Sequence, residues 1–467
     1  MIKTKNLLGI SILTLAIVTS CNDAELEEKV HEKENYTTTT DNSCLADSDW
    51  FKIDSITHKR KTDAPKEDSH SVFGNNVTVS NCNFHQWSWQ KFLWLTNEDT
   101  NGTPLFMDSL FQVNAQTIPV KSVNKKIILV AADAKQATNS ILKTNKSYNS
   151  NNLNYTVYYS IHVDSSLYKS IQKYAPMDKS MYKDSTFPVG ALELKIAWVN
   201  IDALRDTNAY FITDGNIEGI DTRIALLGMH VVGIVYNHPE FVWATFEHHD
   251  LSPYYDWAAT ITTDTNVTSK TNKLFFDSNA VGTLANITYK SDSTNIFAVN
   301  QFGVPRQAQD SFLLTSQKEP KNYNNIDAIN ISVHEQLTDV WNNYFYNGSI
   351  WIDTEHYNYP TEQATLLISL SDSIGISAPG KLTRGSVSAY NITMETYEQL
   401  GFAPTSIHGQ NVSNLGNCFS CHTASRGSAL NISHIFNGAV DTANNISIKQ
   451  TKQKHLDEIQ TFIKKMK

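Results

Sequence analysis

Five strand-like runs, at 126–131, 155–162, 191–199, 230–236 and 242–246, constrain this 467-residue chain more than any other feature. They are rich in aliphatic and aromatic residues and are separated by polar turns, without the alternating helices that parallel βαβ units require. The last two runs flank Asn237-His238-Pro239-Glu240, which predicts a hairpin. Ahead of them, Phe84, Trp87, Lys91 and Leu95 recur at helical spacing among further aromatics, so 84–95 reads as a helix buried on most sides. A tryptophan-rich helix of this kind is either plain core or an electron path. The expected fold class is α+β: a large β-rich α+β domain over 81–380, followed by a small, mainly helical segment over 381–467. No repeat of fixed period is present.

The beginning of the chain bears on location. Lys3 and Lys5 precede an uncharged, mostly apolar stretch at 7–18 that ends in Val18-Thr19-Ser20-Cys21. A dozen such residues make roughly 18 Å of helix against a hydrocarbon core of ~30 Å, so the segment reads as a cleaved export signal over 1–20. Its ending resembles the lipobox of bacterial lipoproteins, in which the cysteine, here Cys21, is acylated and holds the protein on a membrane surface. Ordinary secretion with Cys21 merely near the cut is the alternative. Residues 22–50 hold nine acidic residues, two lysines and the threonine run 37–40, and predict an acidic flexible tether over 21–80. Removing 1–20 takes away two lysines and no acid, leaving 47 acidic residues against 36 basic ones and moving the formal charge from −9 to −11. An acidic surface repels nucleic acid, which is therefore not an expected partner. The expected location is the bacterial cell envelope, on a membrane through the lipid anchor.

The remaining cysteines are Cys44, Cys82, Cys418 and Cys421. Cys44 and Cys82 flank the tether and the first helix, and are either a disulfide stapling the loose segment down or two separate thiols. Cys418-Phe419-Ser420-Cys421-His422 is the attachment sequence for c-type haem. Two cysteines three apart on one helical turn reach the two vinyl groups of one porphyrin edge, and the next histidine turns its imidazole to the iron. A zinc site would want two more ligands at metal spacing, and only His408 and His434 are near. A redox Cys-x-x-Cys would open a helix after a strand, and a disulfide across so short a loop is strained. The expectation is one covalent haem c on Cys418 and Cys421, with His422 as the proximal axial ligand.

For the other side of the iron the candidates are His434 in Asn431-Ile432-Ser433-His434, Met394 in Asn391-Ile392-Thr393-Met394, and His408. Short segments beside Cys418 close over a haem at the least loop entropy, which favours a ligand from the last eighty residues over one from the large domain. Two protein ligands make an electron carrier, whereas an open position admits a small molecule.

Several segments together resemble a family of large bacterial cytochrome c-like envelope proteins: 84–95, 193–198, 228–232 with 238–248, 391–397 and the haem motif. The resemblance spans 82 to about 436 and implies a haem protein of the cell envelope. An aromatic residue often stands at the position of His434 in that family, and 391–397 fits its pattern better.

The stretch 238–250 also holds His238, Glu240, Glu247, His248, His249 and Asp250. On a strand Glu247 and His249 share a face while His248 takes the other. They offer a carboxylate and imidazoles to a metal or a proton transfer, or they are a polar strand end. The leading expectation is a lipid-anchored monohaem cytochrome that passes electrons to a redox partner protein in the envelope. The alternatives are a peroxidase-like haem oxidoreductase using Glu247 and His248 or His249, and a haem-based redox or gas sensor.

Overall fold

The apolar runs pair into a nine-stranded sheet. The computed structural model describes residues 44–74, 79–121, 125–129, 142–252, 266–267, 271–275, 282–283, 322–352, 357, 359–370, 383–385, 391–394 and 418–445, all within the unit Ser43–Lys467. The strands are β1 (Phe111–Val113), β2 (Ile127–Leu129), β3 (Tyr158–Val163), β4 (Leu192–Asn200), β5 (Ile212–Ile217), β6 (Ile220–Val235), β7 (His238–His248), β10 (Tyr344–Ile352) and β11 (Thr383–Gly385), while β8 (Asn266–Val267) and β9 (Gly282–Thr283) pair separately. The main order is β1-β3-β4-β6-β7-β10-β11, antiparallel throughout, with β5 added to the start of β6 and β2 parallel to β5. The α+β class expected from the sequence is the one observed.

The β6–β7 hairpin is tighter than the sequence suggests. Val235 pairs with His238, so the turn is Tyr236-Asn237, and His238, Pro239 and Glu240 already belong to β7. Asn237 takes the left-handed conformation this turn needs, at φ 67°, which asparagine tolerates better than most residues.

Side chains alternate across the strands, and each face has its own cover. On the first face, Leu192, Leu194, Ile196 and Trp198 of β4 lie with Met229, Val231 and Phe246 beneath α1 (Asn81–Leu95). Phe92 stacks on Phe246 at 4.2 Å, and Phe84 on Trp351 at 3.9 Å. α4 (Asn322–His334) packs beside α1. Its Asn330 accepts the Trp89 indole N–H at 2.9 Å and donates to the Tyr346 carbonyl at 2.9 Å. The aromatic helix is core, as its spacing predicts. Short helices α2 (Leu105–Ser109), α3 (Ser165–Tyr174) and α5 (Pro360–Leu370) complete the domain ahead of the C-terminal segment. No helix among the described residues is long and apolar enough to cross a membrane.

The expected tether is corrected for its described part. Over 44–74 the chain packs on the domain, with Trp50 and Phe73 buried in the first-face core. Arg60, itself buried, donates to Asp339 at 2.9 Å, the Leu93 carbonyl at 2.6 Å and Thr96 Oγ1 at 3.0 Å. Lys91 and the Trp87 indole both donate to Glu67, at 2.8 and 2.7 Å. Acidic composition does not oppose docking where the acids meet such partners. Cys44 and Cys82 form a disulfide that ties the segment to the first turn of α1. It closes a loop with a sequence separation of 38, so losing it should cost about 4 kcal/mol on loop entropy. Urea unfolding of a Cys44→Ser, Cys82→Ser protein checks this, and an unchanged midpoint would mean that Arg60 and Glu67 suffice.

Candidate functional site

The second face of the sheet is where the chemistry gathers. In register across the strands it presents Glu193 and Lys195 of β4, Gly228, His230 and Val232 of β6, and Trp243, Thr245 and Glu247 of β7. Among the described residues that cover it, two separate pieces of chain bear on this chemistry.

One piece is residues 391–394. Gly228 leaves room for it, since a Cβ there would fall 2.7 Å from the Asn391 side chain. Asn391 donates to Thr245 Oγ1 at 3.1 Å and to the Phe246 carbonyl at 2.9 Å, and Glu247 accepts the Ile392 N–H at 2.9 Å. Met394 is buried with Leu142, Tyr148, Val157 and Ala197.

The other piece is the C-terminal segment: α6 (Cys418–Cys421), a 3-10 turn at Ala429–Ile432, and α7 (His434–Asn445). Phe419, Leu430, Ile432 and Phe436 are buried in one cluster with Val232, Trp243 and Ile350 of the sheet. Phe436 sets its ring against the edges of Tyr182 and Phe187, at 5.6 and 6.0 Å. Ser428 caps the 3-10 turn by accepting the Leu430 N–H. The expected boundary at 380/381 therefore does not separate two cores, because this segment shares one with the sheet.

The Cys418–His422 segment sits on that cover. Cys418 opens α6, half-buried, and Cys421 closes the same turn, its side chain outside the described part. The next residue continues the turn, with the His422 N–H donating to the Cys418 carbonyl at 2.9 Å. His422 Nδ1 lies 2.9 Å from the Ile432 carbonyl. A carbonyl only accepts, so the ring proton is on Nδ1 and the lone pair is on Nε2, the form in which imidazole binds a metal. The ring packs against Trp243, with centroids 4.0 Å apart, and against His434, 3.9 Å away and nearly parallel at 18°. Burial, with His434 beside it, holds the imidazole well below its usual range, while the Ile432 bond opposes this. The ring is neutral at pH 7.

Trp243 is itself oriented by a kink. Its indole N–H donates to the Glu240 carbonyl at 3.0 Å, across Phe241, whose φ of 68° is unusual for a bulky residue. Glu240 is fully buried beneath α1, with one oxygen 2.9 Å from His238 Nδ1 and accepting the Ile352 N–H at 2.9 Å.

Of the candidate axial residues, the structure brings His434 to His422 face to face and places Met394 in a different cluster. His408 and Cys21 lie outside the described residues. The proposed acid/base set is not assembled. His248 donates from Nε2 to the Ala209 carbonyl at 3.0 Å and accepts the Asp250 N–H on Nδ1 at 3.1 Å. Burial pushes it down to about 3, and its ring stacks on Tyr210 at 3.6 Å. Both ring nitrogens are thus spent on backbone. Glu247 faces residue 392 on the other side of the sheet, and His249 lies against Phe345 at 4.9 Å. Among the described residues no three His, Cys, Asp or Glu converge as a metal site.

No protein-family model, curated protein or solved structure matches the chain.

Sequence reasoning missed Trp243, Glu193 and Ser433 as parts of the site. The signal was Glu193 and Lys195 two apart inside an otherwise apolar strand. Glu193 accepts the Ser433 hydroxyl at 3.1 Å, tying β4 to the start of α7. Burial raises its carboxyl to about 7 against the opposing effects of Ser433 and Lys195. An acid raised in the folded state favours folding while protonated, so its contribution is full below the unfolded value near 4.5 and is lost by pH 7. Glu193→Gln should therefore match the parent in stability near pH 4 and exceed it by ~3 kcal/mol above pH 7. Urea midpoints across that range check this, and parallel pH profiles for the two proteins would contradict it.

Proposed function

We propose that this protein is a monohaem c-type cytochrome of the bacterial cell envelope that transfers electrons to a redox partner protein. The observation that carries the reading is the Cys418-Phe419-Ser420-Cys421-His422 turn together with the Nδ1–H bond from His422 to the Ile432 carbonyl. Cys418 and Cys421 would hold the porphyrin edge, and His422 would ligate through Nε2. A bound haem c supplies a one-electron iron couple.

The chain's own residues do the rest. The Ile432 carbonyl fixes the His422 tautomer and orients its lone pair. Trp243, buried on the sheet, packs against the ring and holds its orientation. The apolar cluster beneath the segment, with the Glu193–Ser433 bond, fixes the turn on an ordered sheet. That preorganisation lowers the reorganisation an electron transfer would require.

The Cys44–Cys82 disulfide supports an oxidising compartment, where such bonds persist and c-type haem is attached. The net acidity, −11 without the first twenty residues, favours a partner with a basic docking surface over nucleic acid. The anchor proposed is a lipid on Cys21. Among the described residues the acid/base set of the peroxidase-like reading is not assembled, since His248 is locked in backbone hydrogen bonds.

Two experiments test these assignments. Full-length chain matured in a host with the haem-attachment machinery should give one haem per chain by pyridine haemochrome, resistant to acid-acetone. Cys418→Ala with Cys421→Ala should lose it, and haem retained covalently by that variant would end the proposal. Cys21→Ser should move the protein from the membrane to the soluble fraction with loss of acyl label. A Cys21→Ser protein that stays membrane-bound would point to a different anchor.

A further inference from the structure

Between its two covers the second face carries a polar strip. Lys195 and His230 stand directly opposite each other on β4 and β6, and Thr245 stands opposite His230 on β7. His230 and Lys195 are half-buried, whereas the face beside them is closed: Glu247 and Thr245 are buried under residues 391–394, and Trp243 under the haem motif. His230 is also the diagonal neighbour of Trp243, two residues along β7 from its own partner Thr245, a spacing long side chains bridge. Since the Trp243 ring bears on His422 at 4.0 Å, the register brings His230 to the same end of the face as the motif.

On the haem reading above, we propose that His230 is the second axial ligand, so that the sheet, and not the C-terminal segment, completes the iron site. Two of the three candidates from the sequence, His434 and Met394, fit this role less well, and the third, His408, lies outside the described residues. The His434 ring lies parallel on the face of His422, and two imidazoles on opposite sides of one iron point their nitrogens at each other and cannot stack in that way. Met394 is fully buried among Leu142, Tyr148 and Val157, and leaving that cluster would open a cavity. The entropy argument for a nearby ligand also loses its force. β6 is hydrogen-bonded on both sides by β4 and β7 and is ordered beneath the segment, so no further loop has to close. A second imidazole would leave the potential lower than a thioether would, and would deny the iron to small molecules. Lys195, opposite His230, would offer a cation to the acidic groups that a haem carries.

Electron paramagnetic resonance and near-infrared magnetic circular dichroism of the oxidised, full-length, haem-loaded protein test the assignment. The expected parent spectrum is low-spin with two nitrogen ligands. His230→Ala should turn high-spin and return to low-spin on adding imidazole. His230→Met should show thioether ligation with a raised potential, which a merely structural role for His230 would not produce. His434→Ala and Met394→Leu should keep the parent spectrum. A bis-nitrogen spectrum that survives in both His230 variants, or a high-spin parent, overturns the assignment of His230 while leaving the covalent haem in place. A parent with no covalent haem overturns the haem reading and this inference together.

Discussion

Every residue of β7 and of β10 is buried, and a sheet closed on both faces at its centre must be covered twice. The first cover is one aromatic helix, a partner helix from much later in the chain, and a disulfide that adds the segment before them. The second includes residues 391–394 and 418–445, which come back to strands laid down some two hundred residues earlier. Each fully buried leucine or phenylalanine in that return, such as Phe419, Leu430 and Phe436, contributes about 2 kcal/mol. Placement of the Cys418–His422 turn is therefore a consequence of covering the sheet: the chain sets a one-turn segment on a core that already exists.

That arrangement explains why a large domain accompanies so small a motif. His422 is oriented by Ile432 from its own segment and by Trp243 from β7, so its geometry depends on both the return of the chain and the register of the β6–β7 hairpin. The kink at Phe241 lies in the same hairpin, two residues before Trp243. Glu193 adds a further tie, with its cost: a half-buried carboxyl held by a hydroxyl makes the attachment of α7 sensitive to pH.

The parts of the fold that depend on local pattern were legible in the sequence. The runs at 126–131, 155–162, 191–199, 230–236 and 242–246 fall on β2, β3, β4, β6 and β7, and 84–95 falls within α1. β5 was not visible, because Ile212-Thr213-Asp214-Gly215-Asn216-Ile217 has neither alternation nor an apolar run, and is a strand only because β6 extends far enough to pair it. The docking of 44–74 was hidden for a similar reason. Its polar composition says nothing of the partners that bury Arg60, which come from α1 and from Asp339. For the candidate site, spacing alone pointed to Cys418, Cys421 and His422. That Trp243 packs on His422, and that His230 stands two residues away across the strands, could not be read there, since both follow from register and from which face the C-terminal segment covers.

The central claim is that Cys418 and Cys421 carry one covalent haem on this sheet. Intact-mass spectrometry under denaturing conditions, on full-length chain matured with the haem-attachment machinery, addresses it most directly. The account predicts the polypeptide plus one haem, with tryptic mapping placing the added mass on the peptide that contains Cys418 and Cys421. A polypeptide of unmodified mass from a host that attaches haem to other c-type cytochromes in the same cells would contradict it.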